Sequence, residues 1–145
     1  MPPDGLEQLR ALLSGERPAV PFAEATGIRL TEVEHGRVVF TGTPSRRFYN
    51  PHGTVHGGWI AGLLDSAMGC AVHSALQPGQ GYTTIDMTTG YVRAVLEESG
   101  TLRCEGQLVT MGRRIARAEG KVFDAEGRLV AHGSETCLIL ERSPA

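Results

Sequence analysis

The residues best suited to chemistry lie in one short run, Asn50-Pro51-His52-Gly53-Thr54-Val55-His56-Gly57-Gly58, and in one acid beyond it, Asp65. From about His56 to Leu76 the chain has no proline and is rich in Ala, Leu, Ile and Met, so the spacing predicts one long helix, closed by Pro78 and Gly79. A helix start leaves backbone N–H groups without intrahelical partners, and its dipole favours negative charge there. Gly57 and Gly58 would present such amides with no side chain in the way. Asp65 supplies a carboxylate, able to act as a base or a nucleophile. Amide donor and carboxylate are eight residues apart, roughly 12 Å along a helix at about 1.5 Å per residue, too far to act on one atom within a single chain.

On a helical wheel at about 100° per residue, Ile60, Leu63, Leu64, Ala67 and Ala71 share an apolar face. Opposite them Asp65 lies among Gly58, Ala61, Gly62 and Gly69, a surface of almost no side-chain bulk. A second backbone can approach such a face closely, and an antiparallel copy of the same helix would carry Asp65 of one subunit to Gly57 of the other. The spacing therefore predicts a homodimer at minimum, with two equivalent sites about a two-fold axis.

The remaining elements follow from local pattern. Leu6, Leu9, Leu12 and Leu13 predict a short amphipathic helix at about residues 4–14. Two strands follow Gly27, joined through Glu34-His35-Gly36, and Pro44 ends the second. Arg46 to Gly53 holds too many breakers for helix or ladder and forms a loop. Tyr82–Val95, Thr101–Met111, Ile115–Phe123 and Arg128–Leu140 are strand candidates, the last two joined by Asp124-Ala125-Glu126-Gly127. This order predicts one α+β domain over residues 1–145, its core at about 22–140, an antiparallel sheet with one face covered by the central helix.

The run Asn50-Pro51-x-Gly53-x-x-His56-Gly57-Gly58, with Asp65 nine residues after the histidine, resembles the hotdog-fold acyl-CoA thioesterases, nearest to the phenylacetate-degradation (PaaI-like) branch. Tyr82-Thr83-Thr84, Gly112-Arg113-Arg114 and the stretch from Asp124 to Thr136 extend the resemblance over about Phe22 to Leu140. It implies the hotdog architecture, an antiparallel sheet wrapped around a long helix, and hydrolysis of an acyl or arylacyl thioester to free acid and CoA. By that resemblance the Gly57 N–H stabilises the oxyanion and Asp65 is general base or nucleophile. Asn50 and His56 match positions that place the thioester or the water. Thr83 matches a hydroxyl near the acid, with Thr84 as the alternative one residue on. Gly58, Arg113 and Arg114 are the substrate-binding candidates, the arginines for CoA phosphates; Arg46 and Arg47 are weaker ones. No metal or separate cofactor is implied, since CoA belongs to the substrate. Tetramers are common in the family. The competing function is a hotdog domain that binds acyl-CoA without turnover; a hydratase would need a histidine paired with a second acid, which the sequence does not show.

Plainer roles stand beside these. Asn50 can bond its own backbone in a turn, His56 can serve only the helix start, Thr83 suits a strand by propensity, and Arg113 and Arg114 suit a solvated turn. His52 and His56 have HxxxH spacing, but Pro51 and Gly53 forbid the helix that would make it a zinc site. Cys70, Cys104 and Cys137 lack CxxC spacing and read as buried thiols of a reducing compartment. No GxSxG elbow occurs. A formal charge of −2 argues against nucleic-acid binding, and neither a secretory leader nor a membrane span is visible, so a cytoplasmic protein is expected. Glycine, at 19 of 145 residues against a usual share of roughly 7%, implies close backbone approaches.

Overall fold

A computed structural model describes residues 1–142; the last three residues of the domain span lie outside them. The elements are α1 (Gly5–Ser14), α2 (Pro21–Thr26), β1 (Ile28–Glu34), β2 (Arg37–Gly42), α3 (Gly57–His73), β3 (Gln80–Tyr91), β4 (Leu102–Met111), β5 (Ile115–Phe123) and β6 (Leu129–Glu141), with 3-10 turns at Arg46–Phe48 and Glu97–Ser99. All strand pairs are antiparallel, in the order β1-β2-β4-β5-β6-β3, and α3 packs across the sheet. This is the hotdog arrangement. Leu63, Leu64, Ala67, Met68 and Ala71, the apolar stripe of α3 with Met68 added, are fully buried against Val38, Leu102, Cys104, Val122 and Ala131.

Close approach of helix and sheet depends on a row of glycines. Gly106, Gly120 and Gly133 are direct register partners on β4, β5 and β6. A Cβ at Gly106 would overlap the Ala67 carbonyl, and one at Gly120 would lie 3.0 Å from both Leu64 Cδ2 and Met68 Cγ. Backbone cannot step aside as a side chain can. Gly106→Ala is therefore expected to destabilise the protein by about 3 kcal/mol, the upper part of the usual overpacking range, read as a lower denaturant midpoint at unchanged slope.

The local expectations are met with shifts at the ends. α3 stops at His73, three residues before Leu76, where Ser74 turns its hydroxyl back onto the Ala71 carbonyl at 2.7 Å. β3 begins at Gln80 and ends at Tyr91, so Val92 to Val95 leave the ladder and run back toward the start of α3, where Val95 O accepts from Val55 N at 2.8 Å. α2 is absent from the sequence expectation: it is six residues long, starts on a proline and ends at Gly27 in the left-handed region at φ 73°, too short to show a helical period. α1 is framed by Asp4 and Glu7, each side chain accepting from the other's backbone N–H.

Candidate active site

The helix start is anchored by aromatic packing and by the loop before it. Trp59, in the first turn of α3, stacks on Phe48 at 5.5 Å and donates its indole N–H to the Thr26 carbonyl at 2.9 Å, tying α3 to the preceding loop and to α2. The loop is closed by Asn50. Its Oδ1 accepts from the backbone N–H of His52 (2.9 Å) and Thr54 (3.2 Å), while Nδ2 donates to Thr54 Oγ1 at 2.9 Å. Asn50 thus shapes the loop that leads into the helix, as an Asx turn does.

His56 is the N-cap: its Nδ1 accepts from Gly58 N at 2.8 Å. This corrects the expectation that both glycine amides are open, because the Gly58 N–H is already spent on the cap. It also fixes the neutral imidazole as the Nε2–H tautomer, leaving an N–H donor at the helix mouth. The Gly57 N–H, at the first helical position, has no hydrogen-bond partner among the described residues. The Gly57 carbonyl accepts from Tyr91 Oη at 2.7 Å, so the far end of β3 braces the helix start. Gly57, Asn50, Thr54, Ile60 and the segment Tyr91–Val95 line one cavity of about 310 Å3.

Asp65 lies elsewhere. It is exposed on α3 and lines a second cavity of about 780 Å3 beneath α1 and α2, whose walls include Leu9, Leu12, Phe22, Ile28, Phe40, Cys70, His73, Tyr82 and Thr84. One chain therefore carries the amide donor and the carboxylate in two separate cavities, as their spacing along the helix requires. The strip of small residues is partly covered from within the chain: a Cβ at Gly62 would meet Phe22 Cζ at 3.0 Å, and one at Gly69 would meet Tyr82 Oη at 2.8 Å. Gly58 and Asp65 remain exposed and Ala61 half-buried, so the open part of the strip is its N-terminal half.

Thr84, not Thr83, lines the Asp65 cavity; Thr83 is exposed on the other side of β3, as the strand period of two dictates. Arg113 and Arg114 are exposed in the β4–β5 turn, line neither cavity and form no ion pair among the described residues. Arg46 lies 3.9 Å from Glu97, and Arg47 covers the Phe48 ring. The cysteines are free, and burial pushes the Cys70 and Cys137 thiols up to about 12, which leaves them protonated and poor nucleophiles at neutral pH.

Sequence reasoning missed Glu135. It sits on β6 at 1% exposure, opposite Met87 of β3 and Ala118 of β5, with its Oε1 accepting from Cys137 Sγ at 3.6 Å. Burial, then the nearby Asp65 carboxyl, raises its pKa to about 9. A signal was present: Ala131, Gly133, Glu135, Cys137 and Ile139 alternate along β6, and the apolar members of that set mark the core side.

Residues 52–131, more than half of the chain, match the family model of the thioesterase superfamily. Among solved structures, the PaaI protein of the phenylacetic acid degradation operon of E. coli superposes with a TM-score of 0.83 at 20% identity, over 95% of this chain and 97% of that one. A phenylacetic acid degradation-related protein from Ralstonia eutropha gives 0.81 at 27% identity, over 89% and 97%. A mutant of the phenylacetic acid degradation protein PaaI from Thermus thermophilus gives 0.75 at 28% identity, over 82% and 98%. Among curated proteins none matches the chain. No helix of the described residues is long and apolar enough to cross a membrane. With its six antiparallel strands wrapped on one central helix and its His-Gly-Gly helix start, the chain belongs to the thioesterase superfamily as a PaaI-like hotdog protein.

Proposed function

We propose that the protein hydrolyses acyl-CoA thioesters to free acid and CoA in sites shared between two copies of the chain. The observation that carries this is the split: a free Gly57 N–H in one cavity and an exposed Asp65 in another, eight residues apart on one helix. An antiparallel partner helix joins the two halves. β3 supports the same assembly, because it is a twelve-residue strand at the sheet edge with Ile85, Tyr91 and the adjoining Val92 exposed, the kind of edge that pairs with a second copy.

In the assembled site the Gly57 N–H, at the positive end of the helix dipole, donates to the thioester oxygen as it becomes an oxyanion. His56, through its cap on the Gly58 N–H, shapes the helix start that presents this donor. Asp65 of the partner either takes a proton from the attacking water or attacks the carbonyl carbon to give a mixed anhydride that water then opens. The leaving thiol has a pKa near about 8.5 and departs as thiolate without a dedicated acid. Thr84, which lines the same cavity as Asp65, orients the water through Oγ1. The larger cavity, apolar on most of its wall, takes the acyl or arylacyl group. Arg113 and Arg114 remain the candidates for the CoA phosphates, Gly58 lets substrate approach the backbone, and the reaction needs no cofactor beyond CoA itself. The three free cysteines suit a reducing, cytoplasmic setting.

Release of free CoA thiol from a panel of phenylacetyl-type, hydroxybenzoyl and medium-chain acyl thioesters tests this reading. Saturable turnover of at least one is expected. Tight binding of the panel with no thiol release would instead identify an acyl-CoA-binding protein.

A further inference from the structure

Glu135 has no role in the mechanism just described, yet it is buried against the helix that carries the base. The Gly69 position, one turn after Asp65 and on the same face of α3, is where the Glu135 side chain arrives: a Cβ there would lie 3.5 Å from Glu135 Oε1. Glu135 Oε2 has no hydrogen-bond partner among the described residues. An ionised carboxylate in that place would be a buried anion beside a second anion. Among the described residues the groups facing it offer no compensating cation: Asp65 and Cys70 come from α3, Tyr82 and Thr84 from β3, and Cys137 from β6 itself. Arg117 of β5 is exposed and donates to Thr136 Oγ1 at 2.7 Å, on the other side of the sheet. His73, edge-on to Tyr82, is held neutral by its burial.

Resting on the reading of Asp65 as the base or nucleophile, we propose that Glu135 is a positioning residue, a buried neutral carboxyl whose Oε2–H donates to the Asp65 carboxylate and holds it for attack at the thioester. Oε1 then keeps the Cys137 thiol as its donor, and Thr84 Oγ1, 3.8 Å from Cys137 Sγ, closes the chain of polar contacts beneath the site. The neutral state follows from the geometry: of two adjoining carboxyls, the one without water or a cation retains the proton. The raised pKa of Glu135 agrees in direction.

Two substitutions separate positioning from packing. Glu135→Gln keeps a neutral donor in the same place, and should retain kcat within about 3-fold; Glu135→Leu keeps the bulk without the donor, and should lower kcat by about 10-fold or more with KM little changed. Wild-type kcat should fall on an alkaline limb near pH 9, corrected for spontaneous thioester hydrolysis, and Glu135→Gln should lack that limb. A folded Glu135→Leu protein as fast as wild type, or an alkaline limb unchanged by Glu135→Gln, overturns the proposal.

A readout independent of turnover keeps the two levels apart. A carboxyl that holds its proton more tightly when folded than when unfolded stabilises the protein fully at low pH and loses that contribution as pH rises towards the folded value. Wild-type Tm should therefore decline between about pH 5 and pH 9 more steeply than that of Glu135→Gln. The infrared spectrum at pH 7 should show a protonated-carboxyl stretch that Glu135→Gln abolishes. Without that band, and with parallel Tm profiles, Glu135 is ionised and the proposal falls. With band and profiles as expected but no thioester turned over, it is the assignment of the reaction that fails, and with it the positioning role.

Discussion

Asp65→Asn is expected to lower kcat for CoA release by about 100-fold or more while leaving acyl-CoA binding within a few-fold of wild type. The amide is the same size as the carboxylate and still accepts a hydrogen bond, so the helix, its neighbours and the cavity should persist. What is lost is the negative charge, and with it the basicity that takes a proton from water or the nucleophilicity that attacks the carbonyl carbon. The exposure of Asp65 means that the change removes no buried ion pair, and stability should move little. Release of thiol by Asp65→Asn at the wild-type rate would remove the residue from the mechanism and leave Gly57 without a chemical partner.

Mixing two inactive variants should restore activity. Gly57→Pro deletes the N–H at the first helical position, where the ring is conformationally acceptable, and should cost about 100-fold to 1,000-fold, as loss of one oxyanion donor does. The pyrrolidine ring must displace the Tyr91 phenol, which a Cβ at Gly57 would approach at 3.0 Å, and a side-chain end can move. If the site draws Gly57 from one chain and Asp65 from the other, an Asp65→Asn chain paired with a Gly57→Pro chain has one intact site and one doubly damaged site. Random exchange at equal concentrations gives half heterodimers, hence about a quarter of wild-type activity. A site built within one chain predicts no recovery at all. The experiment needs protomers that exchange, which co-expression with two affinity tags secures.

How much of this was legible beforehand depends on the range of the cause. His56, Gly57 and Gly58 could be placed at a helix start because proline-free apolar periodicity and the turn residues before it are local signals. Asp65 stood out because its neighbours on the wheel are small. The spacing of Gly57 and Asp65 led to the expectation of a second chain through helix rise alone; within one chain the two residues line different cavities, and the two-chain site is the proposal that the mixing experiment tests. That Gly58 surrenders its N–H to His56 was not legible, since a histidine at an N-cap can point its ring to solvent as readily as back onto the amides. Thr84 could have been preferred to Thr83 by counting two residues from Tyr82, whose ring is needed in the core; propensity could not separate the two threonines.

Glycine abundance announced close approaches without saying where. Gly106, Gly120 and Gly133 are more than ten residues apart in sequence and become a single row only when β4, β5 and β6 pair in register. The sequence by itself determined the central helix, the strands, the helix start at His56-Gly57-Gly58 and the acid eight residues beyond Gly57, because each follows from backbone preference and periodicity within a few turns. Tertiary structure alone decided the strand order, the glycine row beneath Ala67 and the meeting of Asp65 with Glu135, because burial and the field of a neighbouring carboxyl are properties of the packed chain, set by residues 70 positions apart.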